Sequence, residues 1–134
     1  MPTKLCRVLI PDSFDNAFPL VADVLSELGA SLVNPATEKI TSWNEEGGPV
    51  ELDWRGSVKQ TVRPQAGRVQ FWLASDDDIF VSWTLKEPGV EFDFYLNGVR
   101  IETAKCLIAK FVEIILTRFM HAYQDETALA LRFE

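Results

Sequence analysis

The chain has 134 residues, 47% hydrophobic and 11% aromatic, and carries a formal charge of −7 from 20 acids and 13 bases. That apolar content excludes a disordered acidic tail, which lacks the surface to offset its ordering entropy. The acidic balance argues against a general nucleic-acid binder, whose phosphate contacts need a cationic excess. The length fits a single domain over residues 1–134.

Leu5 to Ile10 reads as a short buried strand, stopped by Pro11-Asp12-Ser13. Val8, Leu9 and Ile10, between Arg7 and Pro11, are too few for the apolar core of a signal peptide. Asn16 is the expected cap of a first helix. Its Phe18, Val21, Val24, Leu25 and Leu28 share one face, with Pro19 in the first turn and Gly29 at the C-terminal cap. Residues 30–49 stay open between a short helix begun by Asn34-Pro35 and a strand over Ile40 to Trp43.

From Val50 the apolar period is two. Val50, Leu52 and Trp54 alternate with Glu51, Asp53 and Arg55, and Gly56 to Val62 extends or pairs this strand. Val69 to Ala74, Ile79 to Leu85 and Val90 to Leu96 are three strong strands. The links between them, Asp76-Asp77-Asp78 and Glu87-Pro88-Gly89, are so short that neighbours must run antiparallel. Asn97-Gly98 is another tight turn, and Val99 to Ile101 adds a short strand. A long helix is expected from Thr103. Leu107, Ile108, Phe111, Val112, Ile115, Phe119 and Ala122 form its apolar face, and Ile114, Leu116 and Met120 widen it. Leu129 to Phe133 returns as a last strand. The predicted architecture is α+β: an antiparallel β-meander with an N-terminal helix and a long C-terminal helix packed on the sheet.

The most apolar stretch, Ala104 to Tyr123, is broken by Lys105, Lys110, Glu113 and Arg118. A membrane span needs about 20 mostly uncharged residues, so a buried helix is expected and no membrane partner. Cys6 and Cys106 are the only cysteines. Two isolated cysteines make neither a disulfide framework nor a zinc pattern, and a cytoplasmic location follows by default.

The search for chemistry returns little. The one histidine, His121, lies fifteen residues after Cys106 on the same helix, roughly 22 Å along its axis, too far for a dyad. No serine sits in a nucleophile elbow. Asp76, Asp77 and Asp78 are the best metal candidates, yet they lack the glycine and distal glutamate of a calcium loop and suit a wet turn. Glu51, Asp53, Glu91 and Asp93 fall on polar strand faces, away from any pocket that would tune a carboxyl for glycoside chemistry. No glycine-rich loop opens a helix to hold phosphate. The expectation is a protein without catalytic residues, cofactor or metal.

What stands out is where the charge sits. Trp43 to Trp54 holds Glu45, Glu46, Glu51 and Asp53 with no base, a charge of −4. Asp76 to Asp93 holds six acids and one base, Lys86, a charge of −5. These segments carry −9 together, which leaves +2 on the remainder. Trp54 and Trp83 share parity with core positions. Trp72 and Tyr95 alternate against theirs and are expected as aromatic anchors, Trp72 exposed or in a second layer and Tyr95 pointing outward.

In its size, acidity, antiparallel sheet, long helices and lack of an active site, the chain resembles the small acidic cytoplasmic immunity proteins of bacterial toxin–immunity pairs. No motif carries functional residues across. The resemblance implies neutralisation of a toxin domain, often a nuclease, by occlusion of its active site. The chain is thus expected to bind a basic protein through Asp76, Asp77, Asp78, Glu91, Asp93, Glu51 and Asp53, with Trp72 and Tyr95 as anchors. The alternative is an acidic dimeric secretion chaperone, with Leu116 and Met120 in a dimer surface. A small-ligand or enzyme domain with a pocket between sheet and last helix is the third reading, and a homo-oligomeric structural component a fourth. Oligomeric state is open between monomer and homodimer.

Overall fold

The computed structural model describes residues 3–43, 47–53, 61–74 and 77–134. Seven strands form one antiparallel sheet: β1 (Lys4–Ile10), β2 (Ile40–Trp43), β3 (Pro49–Leu52), β4 (Arg68–Ala74), β5 (Asp77–Lys86), β6 (Gly89–Tyr95) and β7 (Leu129–Phe133). Their spatial order is β3-β2-β4-β5-β6-β1-β7. Among the described residues the long helices are α1 (Phe14–Glu27) and α2 (Ile101–Ile114), the latter extended by a π-helical turn over Ile115–Phe119, and Pro64–Ala66 forms a short 3-10 helix. The fold is the expected antiparallel α+β arrangement. It is not a plain meander, however: β1 pairs with β6 and then with β7, and so closes the C-terminal half of the sheet.

Local chemistry explains where the elements begin and end. The Asp12 carboxylate accepts from the Ser13 backbone N–H (2.7 Å) and from Asn16 Nδ2 (3.0 Å). This starts α1 at Phe14, earlier than Asn16 suggests, and leaves Pro19 inside the helix. The extra residues bring Phe14 against Phe18 and Trp83, with ring centroids 5.3 and 5.2 Å apart. At its C-terminus Gly29 adopts φ +87°. The Gly29 and Ala30 amides donate back to the Ser26 and Leu25 carbonyls in a Schellman closure. Ile40 to Trp43 is a strand. Val99 to Ile101 is not: Arg100 takes the N-cap position and Ile101 opens α2. Trp54 and residues 56–60 lie outside the described residues.

Both helices lie on one face. Phe18 of α1 meets Phe71 of β4 and Trp83 of β5, while Phe111 of α2 meets Phe94 of β6 at 5.0 Å. Alternation delivers this core: Ile79, Val81 and Trp83 of β5 and Val90, Phe92 and Phe94 of β6 are all buried. The intervening residues of those strands face away from α1 and α2, on a second face that neither of these helices covers, the helix-free face.

Candidate functional site

The helix-free face follows from the strand register. Gln70 lies opposite Phe80, and Trp72 opposite Asp78. Ser82 lies opposite Asp93, and Thr84 opposite Glu91. Arg7 lies opposite Asp93, and Leu5 opposite Tyr95. Along it runs a row of half-buried rings: Trp43 edge-on to Phe80 at 5.1 Å, and Phe80 edge-on to Tyr95 at 5.3 Å. Such geometry sets the positive edge of one ring on the negative face of the next. Beside the row, a cleft of about 640 Å³ is lined by Arg68, Phe80, Ser82, Thr84, Tyr95 and residues 65–67. The Trp83 indole N–H donates to the Pro64 carbonyl (3.0 Å) and fixes that turn against β5.

One end of the face is an internal ion-pair network. Arg7 grips Asp93 through two bonds, Nε to Oδ1 at 2.8 Å and Nη2 to Oδ2 at 3.1 Å. Its Nε also lies 3.5 Å from Glu91. Lys86 Nζ reaches Glu91 at 3.3 Å and Glu126 at 3.4 Å. The Asp93 hydrogen bond holds the Arg7 guanidinium above its ordinary pKa, and the Glu91 hydrogen bond does the same for Lys86. Glu91 and Asp93, both expected to meet a partner, therefore already have cationic partners within the chain.

The other end is different. Among the described residues Asp78 is held by the neutral Gln70 amide (Nε2 to Oδ2, 2.7 Å). Asp78, Phe80, Tyr95 and Asn97 line a second cleft of about 480 Å³. β3 runs in the same direction as β4, since both pair antiparallel with β2. Glu51 and Asp53 therefore lie toward the β4–β5 turn, on the side of Asp78. Glu51 is exposed, and Asp53 has its carboxylate 3.6 Å from Lys39 Nζ. At the level of Asp53 and Asp78 the Ser31–Val33 segment lies between β2 and β4, so four strand spacings, roughly 19 Å, separate β3 from β5. Glu51 and Asp53 of one acidic stretch and Asp78 of the other thus lie toward the same end of the sheet, on well-separated strands.

The expected site residues divide accordingly. Asp78 and Tyr95 share a cleft at the turn end, Glu51 and Asp53 lie toward the same end farther across the sheet, and Glu91 and Asp93 belong to the ion-pair end. Asp77 pairs with Ala74 in the backbone, and Asp76 lies outside the described residues. Trp72 has the outward register but is half-buried. Its backbone bonds in both directions to Ser31, and its indole Nε1 is buried without a hydrogen-bond partner among the described residues. Phe80 and Trp43 were not singled out from the sequence. Phe80 shares parity with Asp78 and Ser82, a signal that would have placed it outward. The Arg7–Asp93 pair spans 86 positions, and no local pattern reports it.

Among the described residues, no three or more His, Cys, Asp and Glu side chains converge as a metal site. His121 and Cys106 are exposed. No described helix is long and apolar enough to cross a membrane. Comparison of this chain with family models, curated proteins and solved structures finds no match.

Proposed function

We propose that the chain is a non-catalytic binding protein that docks a basic protein on the turn end of its helix-free sheet face. The observation that carries this reading is the cleft of Asp78, Phe80, Tyr95 and Asn97, with Glu51 and Asp53 along the same end. Phe80 and Tyr95 offer rigid aromatic area, and Asp78 offers an acceptor that no cation among the described residues occupies. Glu51 and Asp53 add long-range attraction for Lys and Arg. The Arg7–Glu91–Lys86 network sets one edge of the site, because its carboxylates are already paired with cations of the chain. The class of partner that fits is a toxin domain neutralised in the cytoplasm by occlusion, as in immunity proteins.

The test is capture from the source organism by wild-type protein and by Asp78→Asn and Tyr95→Ala. The expected result is one basic protein, retained at low salt and released at about 0.5 M salt, where screening is strong. It is lost with either variant, and co-expression of the wild-type chain relieves its toxicity. A partner retained by both variants and indifferent to salt overturns the reading. The chaperone reading is favoured by a different observation, the exposed apolar side chains Leu116, Met120, Leu131 and Phe133. It predicts capture of an unfolded effector segment that the face variants leave intact.

A further inference from the structure

The sheet ends on one side at β7, and that edge is neither short of apolar residues nor guarded by proline or lysine. Its hydrogen-bonding pattern is fixed by two bonds to β1 and its flanks: Leu9 N–H to Ala128 O and Glu134 N–H to Thr3 O, both 2.9 Å. In an antiparallel ladder bonding direction alternates along the strand. The backbone groups of 128, 130, 132 and 134 therefore point to β1, and those of Leu129, Leu131 and Phe133 point outward. The same three side chains lie on the helix-bearing face, with Leu131 46% and Phe133 64% exposed.

α2 continues this apolar surface. Lys110 bonds Glu27 of α1 at 2.7 Å, so the flank of α2 carrying Lys110 faces α1. The opposite flank, toward β7, carries Ile101 and Val112, which are 73% and 40% exposed. The π-helical turn, wider than an α-turn, lets Leu116 and Met120 follow Val112 in one row. They are 56% and 54% exposed. Ile101 sits at the Phe133 end of β7, since β6 leads into α2 beside the start of β1. Leu116 and Met120 sit at the Leu129 end.

We infer that this surface is the interface of a homodimer, formed by two-fold antiparallel pairing of β7 with β7 of a second copy. Self-complementarity selects a second copy as occupant. A two-fold axis normal to the sheet keeps the faces matched, and centring it on Leu131 sets Leu131 against Leu131 and Leu129 against Phe133. All the outward N–H and C=O groups of those residues then find partners. Centring on Arg132 would leave the outward groups of Leu129 unpaired and set two guanidinium groups face to face. In the Leu131 register Arg132 lies opposite Ala130 and keeps its own Glu134 partner at 2.6 Å. The axis also brings the Val112, Leu116 and Met120 row alongside its copy, running in the opposite direction. The six exposed apolar side chains, Leu129 left aside, offer at most roughly 600 Å² per copy, close to the roughly 800 Å² per partner of a standard interface once the strand backbone is added. The inference is independent of the partner site, which lies on the other face.

The test is the mass of the full chain by sedimentation equilibrium at about 50 µM, with Leu131→Lys and Met120→Glu as variants and Tyr95→Ala as control. Wild type and Tyr95→Ala are expected at twice 15.2 kDa, and both interface variants at 15.2 kDa with unchanged circular dichroism. Should Leu131→Lys not fold, Met120→Glu on the helix decides alone. Hydrogen exchange at Leu129, Leu131 and Phe133 amides is slow in the dimer and fast in the monomeric variant. A wild-type monomer, a dimer that survives Met120→Glu, or fast exchange at those amides in the dimer overturns the inference. A dimer lost with Tyr95→Ala moves the interface to the helix-free face and overturns it too.

Discussion

Cys6 and Cys106 have the same side chain in opposite settings. Cys6 is fully buried on β1, and removal from water, with the nearby Asp93 charge as a smaller cause, pushes its thiol up to about 12. Tyr123, whose hydroxyl donates to the Leu9 carbonyl at 3.0 Å, is raised to about 12 by burial as well. Both groups become anionic on losing a proton. The unfolded chain thus ionises first, from about 9 for the thiol and about 10 for the phenol, while the native state stays neutral. Their contribution to stability is complete below pH 9 and is lost as pH rises toward 12. The melting temperature should therefore fall progressively across that window, and more gently in Cys6→Ala. A melting temperature level through the window would contradict the assignment. Cys106, exposed on α2, should react with a chromogenic disulfide reagent in the native state at pH 8, whereas Cys6 reacts only on unfolding.

Among the elements, the β5–β6 turn shows how backbone contact constrains sequence. Gly89 opens β6 where the chain leaving β1 crosses it. A Cβ there would overlap the Ile10 carbonyl oxygen and lie 2.6 Å from the Asp12 nitrogen and 2.8 Å from the Pro11 Cα. All three are backbone atoms, which cannot swing aside as a side chain would. Gly89→Ala should cost about 2 kcal/mol or more, read as a lower urea midpoint at unchanged slope. A midpoint within error of wild type would show that β1 and the turn separate easily. Much at this scale was legible in the sequence. The spacing of Phe18, Val21, Val24 and Leu25 gave the buried face of α1, and the alternation of Val90, Phe92 and Phe94 gave that of β6. Periodicity reports which way a side chain points, but not which element lies across from it. The insertion of β1 between β6 and β7, the Ser31 cover on Trp72 and the capture of Asp93 by Arg7 all depend on contacts between distant segments. For that reason Tyr95 was read as outward, in keeping with its register, while Asp78, taken as part of a turn, lies within β5, and the engagement of Glu91 and Asp93 was not read.

At the scale of the whole molecule the sheet has two unequal parts. β4, β5, β6, β1 and β7 are joined by long registers and carry both helices. β2 joins β4 through a single register pair, Ser42 with Val69, reinforced by the Ser42 hydroxyl donating to the Arg68 carbonyl at 3.0 Å. Farther along, Ser31 takes the place of β2 beside β4, pairing with Trp72, and Val33 pairs with Ile40. The β2–β3 ribbon is thus the less tightly bound unit, and it carries Trp43, Glu51 and the approach to Asp53. Segments with few shared hydrogen bonds open at lower free energy than the core they flank. Amides of β2 and β3 should accordingly exchange by local opening that low denaturant hardly alters, while those of β1, β5 and β6 follow global unfolding. Exchange of all these strands at one common free energy would mean the sheet opens as a single unit. If the ribbon opens separately, a partner bound between Glu51 and Asp78 must hold it against β4. Its amides, more than those of the central strands, should then gain protection in the complex.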